Sequence, residues 1–148
     1  MTDPTRRLPD DETGSTLLLA ILYGALALAL VLVVASATSL YLERKRLLTM
    51  ADGAALAAAE SWGLGDVRLE GGGLVVGLDD AAVRDAAEAY LGDLGAADDG
   101  VVLVGARSTD GRSATVTLRT HWHAPISTEF VPVLVPIEVT ADARSVFH

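Results

Sequence analysis

A single uncharged stretch constrains this chain more than any other feature. Residues 15–42 read STLLLAILYGALALALVLVVASATSLYL and contain no Asp, Glu, Lys or Arg. As a helix rising ~1.5 Å per residue, the stretch would be about 42 Å long, whereas the hydrocarbon core of a bilayer is only ~30 Å thick. A soluble helix of this kind would keep one polar face. The stretch therefore predicts a single membrane-spanning helix.

Two alternatives to a membrane span fit the stretch less well. A cleaved secretory signal has an apolar core of only ~7–15 residues before a small-residue site. Ala35-Ser36-Ala37 offers such a site, but the apolar run from Leu17 to Val34 is already 18 residues long. A buried soluble helix would need a body able to cover it on all sides, and the rest of this chain is too small for that.

The uncharged stretch divides the chain into four predicted parts. Residues 1–14 are polar, and we expect a disordered cytoplasmic tail. Residues 15–42 form the transmembrane helix. Residues 43–62 contain no Pro and many good helix formers, so they predict a helical extension. Gly63 and Gly65 then favour a helix end, and residues 63–148 form a small domain.

Charge and cysteine content exclude several classes of function. Of the net charge of −9, residues 63–148 contribute −7, with six Arg against thirteen acidic residues. Such an acidic domain argues against nucleic-acid binding, which depends on neutralising phosphates. The absence of cysteine excludes disulfides, thiolate metal sites and a Cys nucleophile. The basic residues that flank the span do not decide its orientation, because Arg6 and Arg7 precede it and Arg44, Lys45 and Arg46 follow it.

The helical extension carries one apolar face made mostly of alanine. Helical spacing places its members on one side of the helix. Small side chains allow another helix to approach closely. The face could therefore pack on a partner helix or on the chain's own domain, and the sequence leaves both open. It is predicted at Leu47, Ala51, Ala54, Ala55, Ala58 and Trp62.

The remaining residues predict an α+β fold with an antiparallel sheet. Residues 66–78 indicate a short hairpin that turns at Gly71, Gly72 and Gly73. Residues 79–94 form an amphipathic helix. Alternating side chains then predict strands at 101–108, 113–123 and 137–146, with one face on a core and one in water. The apolar stripe of the helix comprises Val83, Ala86, Ala87, Tyr90, Leu91 and Leu94.

The sequence contains no pattern that predicts catalysis. His121 and His123 share one face of a strand, but zinc sites generally use three or more protein ligands, and no third ligand has motif spacing. The motifs of serine hydrolases, nucleotide-binding loops and zinc proteases do not occur. We therefore predict no enzyme, no metal site, no cofactor and no small-molecule substrate. The rival hypothesis is a tethered metal-dependent hydrolase that uses the two histidines.

Three sequence segments together resemble a known family. They are Glu12-Thr13-Gly14-Ser15 before the apolar helix, Tyr41-Leu42-Glu43-Arg44-Lys45-Arg46-Leu47 after it, and then Met50-Ala51-Asp52-Gly53-Ala54-Ala55-Leu56-Ala57-Ala58-Ala59. This order resembles the N-terminal region of TadE/TadG-like proteins, the pilin-like components of tight-adherence (Flp) pilus assembly. The resemblance covers about residues 11–60. Residues 63–148 match that family only in outline, as a small α+β body.

The resemblance implies a location, a role and partners. The N-terminus would be cytoplasmic and the C-terminal domain extracytoplasmic. The role would be a non-catalytic, pilin-like component of pilus assembly or secretion, with the lipid bilayer and other pilin-like or pilus-assembly subunits as partners. Some relatives are cut by a prepilin peptidase after a Gly, which corresponds here to Gly14 and Ser15. Processed pilins usually carry Glu at the fifth mature position, where this chain has Leu19.

One alternative function remains open from the sequence. A membrane-tethered extracytoplasmic domain could use its acidic surface to bind a partner that is unrelated to pili. The acidic residues of 63–148 are compatible with this reading.

Overall fold

In the residues that the structure describes, one very long helix is combined with a small body of one helix and two antiparallel sheets. The computed structural model describes residues 12–62, 67–70, 73–125 and 134–144. The predicted α+β fold is confirmed. Of the predicted disordered tail, residues 1–14, the first eleven lie outside the described residues, whereas Glu12, Thr13 and Gly14 belong to α1 and are not disordered. The elements are α1 (Glu12–Ala59), β1 (Val67–Glu70), β2 (Gly73–Val76), α2 (Asp80–Asp93), β3 (Val102–Arg107), β4 (Ser113–His123) and β5 (Leu134–Arg144).

Helix α1 runs without a break from the uncharged stretch into the predicted extension. It contains 48 residues and no proline, so no residue interrupts its backbone hydrogen bonding. It begins at Glu12, three residues before Ser15. At its other end the hydroxyl of Ser61 donates a 2.7 Å hydrogen bond to the carbonyl of Ala58. The glycines expected to end it, Gly63 and Gly65, lie outside the described residues.

Strands β1 and β2 form the predicted hairpin as a separate two-stranded sheet. Their register pairs Val67 with Val76 and Glu70 with Gly73. Gly73 therefore belongs to a strand and not to the turn, which corrects the expected turn of three glycines. The other two, Gly71 and Gly72, lie outside the described residues.

Helix α2 is capped at both ends by backbone-directed hydrogen bonds. The carboxylate of Asp79 accepts from the backbone N–H of Ala81 at 3.2 Å, as an N-cap residue does. At the C-terminus Gly95 has a positive φ of 65°, and the N–H groups of Gly95 and Ala96 donate to the carbonyls of Gly92 and Leu91. This is a Schellman motif. Leu94 is the C-cap residue and is 47% exposed, so its predicted place in the buried stripe is wrong.

Strands β3, β4 and β5 form a three-stranded antiparallel sheet in that order. Strand β4 has the predicted bounds, and β3 is one residue shorter at each end than predicted. Strand β5 begins at Leu134, three residues before the predicted start at Ile137, and therefore contains Pro136. Proline is tolerated there because β5 is an edge strand with one unpaired side. Val146, the predicted end, lies outside the described residues.

The core lies between the two helices and one face of this sheet. Helix α1 packs on β4, β5 and α2, and α2 also packs on β3. Strand β4 buries every second residue, and the alternate residues face outward in cross-strand pairs with β5. On that outer face the guanidinium of Arg119 donates to the carboxylate of Glu138 at 2.7 Å, and the hydroxyls of Thr117 and Thr140 are 3.0 Å apart. The buried strand residues are Ala106, Ala114, Val116, Leu118, Thr120, Trp122, Ile137, Val139 and Ala141.

Candidate functional site

The N-terminal part of α1 has no protein around it. Every side chain from 15 to 35 is exposed, and these 21 residues are apolar apart from Ser15 and Thr16. At ~1.5 Å per residue they extend for about 31 Å, which matches the ~30 Å hydrocarbon core of a bilayer. Within the described part of the chain, α1 is the one helix long and apolar enough to cross a membrane. Its bare half fits a membrane anchor.

The body first covers α1 around residues 36–40. Ser36, Ser39 and Leu40 are half-buried, whereas the residues before them are exposed. The indole Nε1 of Trp122, at the end of β4, donates a 3.1 Å hydrogen bond to the hydroxyl of Ser39. The indole N–H is thereby satisfied in a side chain that is only 9% exposed. This contact marks the end of the body that lies nearest to the bare helix.

The alanine-rich face of α1 is buried against the chain's own body. Helix α1 packs there on α2, β4 and β5. A partner helix could reach this face only by displacing the body, and Trp62, which follows α1, is half-buried. The residues predicted for the face are almost fully excluded from solvent: Leu47 (1% exposed) and Ala51, Ala54, Ala55 and Ala58 (each 0%).

Gly53 of α1 lies directly against the side chain of Tyr90 of α2. A Cβ atom placed on Gly53 would lie 2.2 Å from the hydroxyl oxygen of Tyr90 and 2.6 Å from its Cζ. Non-bonded carbon and oxygen atoms do not approach so closely, so glycine is needed as long as this tyrosine keeps its place. Gly53, which interrupts the helix-forming residues of the extension, is therefore explained by packing.

The opposite face of the α1 extension is open to solvent. It carries both apolar and charged side chains. Two of the apolar side chains are large and exposed: Leu48 is 41% exposed and Leu56 is 51% exposed. Helical spacing places both leucines at the margins of this face, because Leu48 is three residues before the buried Ala51 and Leu56 is three residues before the buried Ala59. We refer to these exposed residues as the outer face: Tyr41, Lys45, Leu48, Thr49, Asp52 and Leu56.

One ion pair joins the α1 extension to the loop after α2. The guanidinium of Arg46 donates to the carboxylate of Asp99, and both side chains are about half exposed, at 49% and 41%. The two residues are 53 positions apart in the chain, and no local sequence pattern pairs them. Beside Arg46 a shallow apolar hollow of about 520 Å³ is lined by Leu42, Lys45, Arg46, Thr49, Met50, Tyr90 and Leu94.

The two histidines considered as metal ligands lie on the solvent-facing side of the three-stranded sheet. His121 and His123 are exposed, and the buried Trp122 lies between them. A hollow of about 600 Å³ beside them is also lined by Glu43 and Asp99. Within the ranges that the structure describes, no three His, Asp or Glu side chains come close enough to hold a metal ion.

The possible processing point lies in the first turns of α1. Gly14 and Ser15 both belong to the helix, and Ser15 is exposed. Leu19, where processed pilins carry Glu, is 52% exposed on the bare half of the helix.

These features define a class: a small α+β body carried on one long helix, whose free half fits a membrane anchor. The segment that carries most of this geometry has a known counterpart, because residues 14–61 match the family model of the Flp pilus-assembly TadE/G-like proteins. The resemblance predicted from the sequence is confirmed over this segment. It supports involvement in Flp pilus assembly, and it makes other pilus components the expected class of partner. No curated protein and no solved structure matches the chain significantly.

Proposed function

We propose that this chain is a non-catalytic, single-pass, pilin-like component of Flp pilus assembly or secretion. One observation carries the proposal: the segment that matches the family, residues 14–61, coincides with α1. This helix has a bare half long enough to cross a bilayer and a second half packed on the body. The family resemblance therefore falls on the element that would tether the body to the membrane.

The proposal assigns a place to each part of the chain. Residues 1–14 form the cytoplasmic tail, 15–42 the transmembrane helix, 43–62 the helical extension, and 63–148 the extracytoplasmic domain. This orientation across the membrane is taken from the family resemblance, because the Lys and Arg residues that flank the span do not favour either side.

Contacts with other subunits are assigned to the outer face of α1. The alanine-rich face is already occupied by the chain's own body, whereas Leu48 and Leu56 are exposed beside Asp52. A photo-crosslinking amino acid at either leucine should capture pilus-assembly subunits in cells. The same amino acid at Ala89, which is exposed on α2 and lies outside the outer face, is the control and should capture none.

Orientation can be measured cleanly because the chain contains no cysteine. A single cysteine at the exposed Thr109, in the turn between β3 and β4, should react with a membrane-impermeant maleimide in intact cells. Thr5→Cys should react only after the membrane is opened. The reverse pattern would place the body in the cytoplasm and contradict the proposed function.

The role in pili requires a genetic test. Deletion of the gene from its own bacterium should abolish or strongly reduce Flp pili counted by electron microscopy, and the full chain should restore them. Normal piliation after deletion would favour the alternative, a tethered binding domain unrelated to pili. The mass of the purified mature protein would show whether the first 14 residues are removed between Gly14 and Ser15.

A further inference from the structure

The level at which the body meets α1 coincides with the expected surface of the bilayer. The bare helix from 15 to 35 accounts for the hydrocarbon core, and the uncharged stretch continues to residue 42. These last seven residues add about 10 Å of helix. Bilayers measure ~40–45 Å with their headgroup layers included, so this part of α1 belongs to the interface. The contact between Trp122 and Ser39 lies within it.

One end of the three-stranded sheet faces this interface. From Ala114 to Trp122 strand β4 covers about 26 Å at ~3.3 Å per residue. From Ser39 to Ala58 helix α1 covers about 28 Å. Since α1 packs on β4 and Trp122 contacts Ser39, the end of β4 and the paired start of β5 lie nearest to the membrane.

Exposed apolar side chains are present at this end of the sheet. Leu134 and Val135 begin β5 and are 51% and 37% exposed, although they pair with His123 and Trp122 of β4. Tyr41 on the neighbouring turn of α1 is 65% exposed. Trp and Tyr are enriched where proteins cross the headgroup layer, because their rings are apolar and their tips are polar.

We propose that the membrane-proximal end of the sheet inserts into the headgroup layer of the bilayer through the exposed Leu134 and Val135, while Trp122, which pairs with Val135, stays buried behind them. The occupant of this surface is lipid because α1 holds this end of the sheet at the bilayer surface, and Leu134 and Val135 are exposed there. The neighbouring hollow is lined by Glu43 and Asp99, and such polar groups suit the headgroup layer better than the hydrocarbon core. The body is then a rigid unit seated on the membrane, and α1 emerges at a fixed angle. This seating does not depend on which side of the membrane carries the body or on a role in pili.

The two tryptophans of the chain provide an internal comparison. Trp62 follows the far end of α1, about 30 Å along the helix from Ser39. The full-length protein is reconstituted in phosphatidylcholine vesicles containing brominated lipids, which quench tryptophans in or near the bilayer. Trp122, observed alone in Trp62→Phe, should be quenched severalfold more strongly than Trp62, observed alone in Trp122→Phe. Equal quenching of the two would overturn the proposal.

A second pair of variants tests whether Trp122 is quenched because the sheet inserts into the bilayer or only because it lies close to the transmembrane helix. Leu134 and Leu56 are equally exposed, at 51%, but Leu56 lies about 26 Å beyond Ser39. In the Trp62→Phe background, Leu134→Glu should lower the quenching of Trp122 and increase its accessibility to acrylamide in water. Leu56→Glu should change neither. If Leu134→Glu also changes neither, the sheet does not insert and the proposal is wrong.

Discussion

The side chain of Tyr90 occupies the space that a β-carbon of Gly53 would fill. The hydroxyl oxygen lies 2.2 Å and Cζ lies 2.6 Å from that position. Helices α1 and α2 therefore meet through a glycine and an aromatic ring. The helix that reaches the membrane and the helix of the body are joined at this contact, so substitutions here should change the stability of the whole body.

The contact makes the effect of Gly53→Ala depend on residue 90. Alanine gains about 1 kcal/mol of helix propensity over glycine, but overpacking costs about 1–3 kcal/mol. In the native background we expect net destabilisation of up to about 2 kcal/mol. In a Tyr90→Ala background the clash is absent, and the same substitution should stabilise by about 1 kcal/mol. The free energy of unfolding in detergent micelles, followed by circular dichroism, measures both.

Gly92→Ala is the matched control for this pair. Gly92 lies in the last turn of α2, and an added Cβ would meet no atom within 4 Å. It should therefore stabilise equally in both backgrounds. If Gly53→Ala is equally stabilising with Tyr90 present, the close contact between α1 and α2 does not exist in solution.

The buried alanine face should not accept larger side chains. Ala51 is fully buried between α1 and the body, so Ala51→Leu should destabilise the body by about 1–3 kcal/mol. The control is Leu48→Ala on the outer face, where a 41% exposed side chain is shortened and the change should stay within about 0.5 kcal/mol. Thermal unfolding of the full chain checks both, and equal melting temperatures would show that the face is not packed.

Local patterns allowed much of this fold to be predicted from the sequence. Strict alternation fixed the bounds of β4 from Ser113 to His123, and the spacing of alanines identified the apolar face of α1. What that face contacts could not be predicted, because alanine suits both a partner helix and the chain's own body. The predicted start of β5, at Ile137, is three residues too late, because a proline such as Pro136 normally ends a strand and only the sheet order shows that β5 lies on an edge.

The contacts that hold the body against α1 could not be predicted from the sequence, because each joins residues that are far apart in the chain. Trp122 and Ser39 are 83 residues apart, and Arg46 and Asp99 are 53 apart. Neither pair leaves a periodic signal in the chain, since each depends on how the sheet and the helices pack. No sequence pattern links Gly53 to Tyr90, which the sequence assigns only to the apolar stripe of α2.

The ion pair between Arg46 and Asp99 should contribute little to stability. Both side chains are about half exposed, and such surface pairs contribute about 0.2–1 kcal/mol. Arg46→Ala should therefore destabilise the body by less than about 1 kcal/mol, and the effect should shrink at high salt. Its clearer consequence should be faster amide hydrogen exchange in residues 96–100, which the pair holds against α1. Arg84→Ala, which removes an exposed pair within α2, should leave that exchange unchanged.

Asp110 should make the stability of the body fall in acid. The backbone N–H of Arg112 and that of Ser113 donate to its carboxylate at 2.9 and 2.7 Å, and they lower the pKa of Asp110 from 3.8 to about 2. Because the folded state holds the proton less tightly than the unfolded state, this contribution is complete above pH 3.8 and is lost as pH falls towards 2. Native protein should therefore melt at a higher temperature than Asp110→Asn near neutral pH, and the difference should close between about pH 4 and pH 2. Asp85→Asn, at an exposed position on α2, is the control, and a difference for Asp110→Asn that stays constant with pH would contradict the prediction.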